Sequence, residues 1–518
     1  MMTHFKVTQS VSRREFIKTA GGIGAATLMA PAFARGAENK TSVPQSHPNL
    51  VFVFSDQHSF DMLGCAGNRD IITPNLDRFA GEGIRFTDSH TSCPVCTPYR
   101  SMLLSGMHPL HNGAFANDIT MIPGKGEYFG EVLRDAGYRT AYIGKWHLLG
   151  GDRRRPVPRG ELRYGFDEVF LTDNCTTEYR PGLSYFWNDR DEKEIFNEWQ
   201  PYGQTRQAIE FLDKQTPDRP FALFVSWHPP HDHGKQGLYY LYNTLPELEA
   251  MYAERDVTLR PTVPDRSERR KQQLRDYMAQ VSGIDIAFGR LIDKLRTKGF
   301  DKNTIVVFTA DHGDLLGAYG WNYPKDCPQD YSDRVPLLLR FPGGLKGGKL
   351  SDLLVGTLDL MPTILALMGL NVPESCQGRN LADAIRKGDD NAVESIPTMM
   401  LHGGILQWRG VVTRDYVFAY QRNGFTKHAM MNVLYDRKND PLQQHNRFKD
   451  PEYAAAKKRM LELTRDWMKR FGDPFIAHEQ LNGAGIQWRY QTGGPINRVS
   501  PVEWTRKQGH GDPYTWTP

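Results

Sequence analysis

The sequence predicts an α/β fold with a large mixed, mostly parallel central sheet flanked by helices and a smaller C-terminal subdomain of antiparallel sheet plus helix. Continuous apolar runs recur along the chain, as in strands buried on both faces of a parallel sheet. Helical periodicity lies between them, and short strand-and-turn segments follow residue 396. We therefore predict an α/β domain at 35–395, a subdomain at 396–472 and a tail at 473–518 packed on the body.

Residues 1–34 are typical of an export signal of the twin-arginine type. Paired arginines at 13 and 14 precede Phe16-Ile17-Lys18, a Gly- and Ala-rich apolar stretch and the small-residue site Ala32-Phe33-Ala34. The alternative is a membrane anchor, but the apolar run is short and glycine-rich for spanning a bilayer. We predict a bacterial periplasmic or secreted protein with the signal removed and without stable membrane insertion.

The amino-acid composition of the chain argues against some functional classes. The chain has 518 residues and a net charge of +4, and the predicted signal contributes much of that charge. The nearly neutral remainder argues against a general nucleic-acid binder. Six cysteines at irregular spacing in a chain of this length do not indicate a disulfide framework. The composition carries no signal of oligomeric state.

Four predicted strands end in clusters of polar, chemically versatile side chains. The strands are Asn49–Phe54, Arg139–Ile143, Pro220–Ser226 and Asn303–Thr309. Ligand sites of open α/β sheets lie at the carboxyl ends of their strands. Each of these polar residues, taken alone, is explained by an ordinary structural role, such as an aspartate in a turn or a histidine in the core. Their recurrence predicts one site containing Asp56, Lys145, His147, His228, Asp311 and His312.

The remaining elements follow from periodicity and capping signals. Thr73 and Pro74 predict a helix start, and 84–87 predicts a short strand. Apolar residues spaced by three and four predict a long helix over 274–295, ended by Gly299. We also expect helix at 352–370 and a closing segment at 378–387. The subdomain is expected to contain strands at 398–402, 408–412, 416–420 and 432–436, then a helix at 451–471, and the tail shows no periodicity.

Cys96 lies at the start of a predicted helix. Pro98 suits the first helical turn, the helix tip favours an anion, and Arg100 adds a fixed charge. Local context alone favours a buried structural cysteine, because free cysteines are mostly buried and inert. The polar side chains at the four strand ends favour a functional role for Cys96 instead.

These residues carry a resemblance to a family. Cys96-Thr97-Pro98-Tyr99-Arg100 and Gly144-Lys145-Trp146-His147-Leu148 resemble the two signatures of the formylglycine-dependent sulfatases. The likeness extends through Asp56, His228-Pro229-Pro230-His231, Asp311-His312-Gly313-Asp314 and Lys325 and covers roughly residues 47–470. The family belongs to the alkaline-phosphatase-like superfamily, in agreement with the predicted α/β fold.

The resemblance implies a mechanism. A maturase would convert Cys96 to formylglycine (3-oxoalanine) before export, and its hydrate would attack sulfur and later expel sulfate. Arg100 would hold the hydrate and His147 would be the base. Lys145 and Lys325 would clamp the sulfate, and His228 would bind it and, with Lys325, protonate the leaving oxygen.

A metal site is implied as well. Its ligands would be Asp56, Gln57, Asp311, His312 and the modified residue 96. Oxygen ligands suit Ca²⁺. Gln57 and His312 stand where many members have Asp and Asn, so Mg²⁺ and Mn²⁺ remain alternatives.

The implied substrate is a sulfated carbohydrate, as in polysaccharide degradation. The basic loop Asp152–Arg155 and Arg180, Trp187, His231 and His233 are candidates for the pocket rim. An equally good interpretation of residues 152–155 is a charged loop that contacts only solvent. Two other functions stay open: a phosphonate monoester or phosphodiester hydrolase on the same fold, and a binding protein with an inactive site.

Overall fold

The structure is a computed structural model that describes residues 47–401, 407–421, 432–475 and 498–508. The predicted export signal, His402 of the predicted strand 398–402 and most of the predicted tail lie outside these ranges. No helix in the described part of the chain combines the length and apolar character needed to cross a membrane.

A ten-stranded sheet forms the centre of the protein, in the order β13-β2-β12-β11-β1-β8-β4-β5-β6-β7. Its strands are β1 (Asn49–Ser55), β2 (Ile84–Phe86), β4 (Arg139–Lys145), β5 (Val169–Asp173), β6 (Tyr185–Trp187), β7 (Lys193–Ile195), β8 (Phe221–Trp227), β11 (Thr304–Ala310), β12 (Leu337–Arg340) and β13 (Lys349–Ser351). The five central strands, β11-β1-β8-β4-β5, are all parallel. Antiparallel strands flank them on both sides, so the predicted mixed, mostly parallel sheet is confirmed.

Both faces of the central strands are buried, which explains their continuous apolar sequence. Val51 and Val53 of β1 belong to one apolar cluster, whereas Leu50, Phe52 and Phe54 belong to a second cluster on the opposite face. Side chains alternate between the faces of a strand, so a strand covered on both sides must be apolar at every position.

Helices cover both faces. They are α1 (Pro74–Glu82), α2 (Cys96–Ser105), α3 (Pro109–Asn112), α4 (Phe129–Asp135), α5 (Gln200–Asp213), α6 (Pro246–Ala250), α7 (Glu268–Thr297), α8 (Asp330–Asp333), α9 (Thr357–Leu367), α10 (Ala382–Lys387), α11 (Ala454–Phe471) and α12 (Pro501–Gln508). The predicted apolar stripe of α7 is buried with Phe79 of α1 and Phe211 of α5. Apolar residues of α4 and α9 belong to the second cluster, on the opposite face.

A separate antiparallel sheet follows residue 395. Its strands are β15 (Ile396–Met400), β16 (Trp408–Val412), β17 (Tyr416–Tyr420) and β18 (Val433–Asp436), in sequence order. Val411, Phe418 and Leu434 share an apolar cluster with Met460 and Leu463 of α11. The predicted sheet-plus-helix subdomain therefore has the predicted architecture.

The described residues also form two short two-stranded sheets. They are β3 (Ser89–His90) with β14 (Val355–Gly356), and β9 (Gly234–Gln236) with β10 (Tyr239–Leu241).

One prediction of local structure was wrong. The segment 352–370 is helical only from Thr357, because Val355 and Gly356 pair with β3 as a strand instead. The tail contains the helix α12, whose Val502 is buried in the main apolar cluster. At the start of α1, Thr73 occupies the predicted cap position, but its hydroxyl accepts from Gly64 N and donates to Asp77.

Candidate active site

The parallel register brings the polar strand ends together. Ser55 of β1 lies beside Ala310 of β11 and Trp227 of β8, so the residues that follow share one edge of the sheet. Asp311 N donates to Ser55 O at 3.1 Å, and Gln57 N donates to Asp311 Oδ1 at 3.0 Å. Asp56 and Asp311 are both completely buried.

Cys96 is the first residue of α2 and lies in the middle of these strand ends. Its Sγ is 3.3 Å from His312 Nε2 and 3.7 Å from Asp56 Oδ1. The Nζ atoms of Lys145 and Lys325 both lie 3.6 Å away. Burial would raise the pKa of this thiol, but Lys145 and Lys325 lower it well below its usual range.

Four ligand-type side chains form a compact buried cluster. The donor atoms of Asp56, Cys96, Asp311 and His312 all lie within 4.8 Å of one another. His312 Nδ1 lies 3.0 Å from Gly313 O, and a donated hydrogen bond there leaves the Nε2 lone pair facing the cluster. Burial, and next the neighbouring Asp56, raise the pKa of Asp311 to about 6. The cluster thus concentrates negative charge that a cation would stabilise.

Arg100 lies one helical turn behind Cys96, on the carboxylate side of the cluster. Its Nη2 donates to Asp56 Oδ2 at 3.1 Å and to Asp311 Oδ2 at 3.0 Å. Its Nη1 donates to Lys145 O and Ser226 Oγ. None of these four bonds reaches Cys96, so the guanidinium orients the carboxylates, and its buried Nε has no hydrogen-bond partner among the described residues.

Lys145 and His228 form a pair beside Cys96. Lys145 Nζ is 2.8 Å from His228 Nε2 and also contacts Asp56. Burial would lower the pKa of Lys145, but Asp56 raises it, and the net shift is upward. Burial and then Lys145 lower the pKa of His228 well below its usual range. A neutral His228 therefore faces a charged lysine.

His147 is anchored on its outer side by a residue that the sequence analysis missed. Its Nε2 lies 3.3 Å from Asp118 Oδ1, and Arg153 forms two hydrogen bonds to the same carboxylate, at 2.6 and 2.9 Å. Thr97 Oγ1 donates to His147 O at 2.8 Å. Burial would lower the pKa of His147, but Cys175 and the bond to Asp118 raise it, to about 10.

Lys325 reaches the cluster from a long loop after β11. Its Nζ lies 3.1 Å from Gln57 Oε1, 3.1 Å from His231 Nε2 and 3.2 Å from His312 Nε2. Gln57 Nε2 donates to Asp314 at 2.7 Å and to Asp232 at 3.2 Å. Because carboxylates only accept, these two bonds orient the amide so that Oε1 points towards Lys325.

Of the residues predicted for the pocket rim, His231 contacts the active-site cluster and the others bond elsewhere. His231 contacts Lys325, whereas His233 is bonded to Asn243 and Arg180 to Glu178. Trp187 lies on β6, opposite Thr172 of β5. In the basic loop, Arg153 binds Asp118, while Arg154 pairs with Asp152 at the surface.

Asp118 and Ser226 carried no sequence signal, since neither follows a pattern that local periodicity detects. Asp314 belongs to the quoted Asp311–Asp314 motif, and its role in orienting Gln57 appears only in the folded chain. Cys175 was counted among the irregular cysteines, yet it lies against His147 and Lys145, which lower its pKa to about 7 against the effect of burial.

The arrangement defines a class of protein. A buried nucleophile position, clustered carboxylates and convergent lysine and histidine side chains at the strand ends are typical of enzymes that hydrolyse anionic esters.

Comparison with known proteins identifies the family. The sulfatase family model matches residues 48–370, and a model of the C-terminal region of N-sulphoglucosamine sulphohydrolase matches residues 317–469. The chain is 32% identical over 442 residues to an ulvan-active sulfatase of Formosa agariphila, covering 83% of each chain. It is 28% identical over 521 residues to an endo-4-O-sulfatase of Bacteroides thetaiotaomicron, covering 89% of this chain and 99% of the relative.

Solved structures of similar fold agree with this family assignment. A putative sulfatase of Bacteroides fragilis matches with a TM-score of 0.74 and 29% identity, over 83% of this chain and 97% of that one. A phosphonate monoester hydrolase of Agrobacterium radiobacter, at 18% identity, 80% and 94% coverage and a TM-score of 0.60, shares the fold. The chain belongs to the sulfatase family, with the alkaline-phosphatase-like fold, and is a sulfuric ester hydrolase.

Proposed function

We propose that the protein removes sulfate from a sulfated carbohydrate, using a formylglycine made from Cys96 and a divalent metal ion. The setting of Cys96 Sγ supports this best. Two ammonium groups lie 3.6 Å from it, with a histidine nitrogen at 3.3 Å and a carboxylate oxygen at 3.7 Å. Such a setting suits an oxygen nucleophile between a metal ion and a sulfate.

The residues fit a metal ion. Asp56 and Asp311 offer buried carboxylate oxygens and His312 offers Nε2. Gln57 Oε1 accepts from Lys325 Nζ at 3.1 Å and would have to turn from it to bind the ion. Hard oxygen donors suit Ca²⁺ or Mg²⁺, and the single nitrogen also admits Mn²⁺. A thiolate at residue 96 suits Ca²⁺ and Mg²⁺ poorly, whereas an aldehyde hydrate offers oxygen. When bound, the ion would polarise the sulfuryl group and lower the pKa of a nearby hydroxyl.

The protein's own cations bind the sulfate. Lys145 Nζ and Lys325 Nζ flank residue 96 and stabilise charge that develops on the sulfuryl oxygens. The His228 ring lies beside the same group, with its Nε2 2.8 Å from Lys145 Nζ. The negative charge of a bound sulfate ester favours protonation of this ring, so that His228, with Lys325, can protonate the leaving oxygen. Arg100 keeps the two carboxylates oriented behind the nucleophile.

His147 is the base for regenerating the aldehyde. The formylglycine supplies, as its hydrate, one hydroxyl for attack and a second whose deprotonation releases sulfate. His147 accepts that proton through its buried Nδ1, and Asp118, 3.3 Å from Nε2 on the other side of the ring, stabilises the imidazolium that results.

The relatives support the substrate class. Their names include an ulvan-active sulfatase and an N-acetylglucosamine-6-O-sulfatase, both directed at sulfated carbohydrates. The twin-arginine sequence supports export to the periplasm or beyond, after a cytoplasmic maturase has acted on Cys96. Replacing Arg13 and Arg14 with lysine should retain the protein in the cytoplasm. Unchanged export of that variant would contradict the proposed route.

Mass spectrometry of the Cys96 peptide from active enzyme is the most direct test. We expect a fraction with the mass of formylglycine, and specific activity should rise in proportion to that fraction. A fully active preparation containing only unmodified cysteine would overturn the mechanism.

Hydrolysis of phosphonate monoesters or phosphodiesters is the second candidate, because Gln57 and His312 also resemble residues of those enzymes. The shared fold with the Agrobacterium enzyme is compatible with it. Rates on aryl sulfate, phosphonate monoester and phosphodiester should be measured side by side. We expect the sulfate ester to dominate; a phosphonate rate larger by orders of magnitude would favour the second candidate.

A further inference from the structure

His231 and Lys325 form one edge of the site that reaches solvent. Asp56, Asp311 and His312 are 0% exposed and Cys96 is 1% exposed. The His231 side chain, in contrast, is 16% exposed, and Lys325 is also partly exposed. A substrate bound at Cys96 can therefore extend along this edge, against whatever surrounds the pair.

Two segments meet at this edge. The hairpin β9–β10 begins three residues after His231, and the bond from His233 N to Leu241 O at 3.0 Å closes its base. The loop 315–324 closes on itself through Leu315 N to Pro324 O at 2.7 Å, one residue before Lys325. Tyr240 Oη and Lys235 Nζ of the hairpin both donate to Asn322 O of the loop, each at 2.9 Å.

These segments present aromatic rings and a cation together. Trp321 and Tyr323 have ring centroids 5.1 Å apart, and Lys235 Nζ lies 5.0 Å from the Tyr240 ring. The three rings are half-buried, Lys235 is exposed, and Tyr323 Oη is buried with no hydrogen-bond partner among the described residues. We call Lys235, Tyr240, Trp321 and Tyr323 the ledge.

The loop that carries the ledge is held in an unusual backbone conformation. Leu316 and Tyr319 have φ values of 48° and 60°, although neither is glycine. Left-handed non-glycine residues are strained and cluster at ligand sites. In the same protein Gln57 and His147 have φ values of 63° and 55°. Asp191 and Gln443, outside the site, have the same conformation, so this feature shows strain in the loop and does not by itself mark a ligand site.

We propose that the ledge binds a sugar ring adjacent to the sulfated one, so that the substrate is a sulfated oligosaccharide or polysaccharide. Half-buried aromatic rings offer flat apolar surfaces for the C–H faces of a pyranose, at low entropic cost. The exposed ammonium of Lys235 complements a further sulfate or carboxylate on the same chain. An isolated aryl sulfate would use the pocket but not the ledge. This inference rests on the proposed function and deepens it.

The test compares a long and a short substrate. Sulfated tetrasaccharides from ulvan, glycosaminoglycan and carrageenan are screened, and the best is paired with an aryl sulfate. Trp321→Ala should lower the ratio of the two kcat/KM values about tenfold, since one stacked ring contributes roughly that much, and Lys235→Ala should lower it because a charge partner is lost. Tyr202→Ala is the matched control, because this half-buried ring on α5 also lies beside a cation, Arg290. It should leave the ratio unchanged.

A binding measurement separates this proposal from the proposed function. Calorimetry with Cys96→Ala should show the tetrasaccharide binding about tenfold more tightly than the sulfated monosaccharide, and Trp321→Ala should remove that difference. Equal affinities, or an unchanged ratio in both ledge variants, would overturn the ledge. Tight, Trp321-dependent binding with no hydrolysis of any sulfate ester would support the ledge and overturn the proposed function.

Discussion

Two buried charge clusters in this protein use similar side chains for different purposes. One is the active site around Cys96. The other joins the central domain to the C-terminal sheet: His90 lies 3.0 Å from Asp333 and 2.9 Å from Asp88, and Arg437 donates to Asp88 and Asp330. Both clusters are rich in carboxylates, and His90, Asp88, Asp330 and Asp333 of the second cluster are buried.

The clusters differ in how completely their polar atoms are satisfied. In the His90 cluster both ring nitrogens and the Arg437 guanidinium have carboxylate partners. In the active site, Arg100 Nε and His228 Nδ1 have no hydrogen-bond partner among the described residues. Burial of charge alone therefore does not distinguish these two clusters, whereas unsatisfied polar groups do.

Cys96→Ala gives the largest expected effect and tests the active-site side of the comparison. Activity on an aryl sulfate should fall by about 10⁴-fold or more, because the nucleophile is lost. The midpoint of thermal unfolding should change little, since the thiol makes no bond that the fold depends on. A variant that unfolds easily would show that this cluster is structural as well.

Arg437→Ala tests the other cluster. We expect the free energy of unfolding in urea to fall by about 3–5 kcal/mol, because Asp88 and Asp330 lose their buried partner. The folded variant should keep its kcat/KM. Arg414→Ala is the matched control: Arg414 is exposed and donates to the backbone, including Asp352 O. Equal losses in the two variants would remove the distinction between the clusters.

Metal removal should affect only the active-site cluster. Chelation followed by dialysis should abolish activity and lower stability by about 3 kcal/mol relative to enzyme in metal at a hundred times its Kd. Adding back Ca²⁺, Mg²⁺ or Mn²⁺ separately identifies the ion by recovery of activity. Full activity after verified metal loss would contradict the proposed site.

Asp118→Asn should have the smallest effect. The carboxylate helps to raise the pKa of His147, so its loss should lower that pKa. A base acts when deprotonated, and the acidic limb of the kcat profile should therefore move to lower pH, with kcat reduced about 10–100-fold. Asp152→Asn, an exposed carboxylate beside Arg154, is the control. An unshifted pH profile would show that Asp118 does not act through His147.

Much of the site could be predicted because strand ends carry a local signal. The apolar run of β1 and the residues that follow it are contiguous in sequence, and parallel register places such ends together. The segment 352–356 could not be predicted in the same way. Its pairing with β3 connects residues more than 260 positions apart, which overrides a local pattern that resembles helix.

The sequence by itself determined the α/β fold class, the position of Cys96 at a helix start and the set of strand-end residues, because each depends on periodicity or on a short motif. Only the tertiary structure decided which partners orient them: Asp118 beside His147, Asp314 and Asp232 on Gln57, and Arg100 behind two carboxylates. It also decided which residues at the edge of the site are exposed. The physical reason is that side-chain hydrogen bonds and exposure depend on distances between residues far apart in the chain.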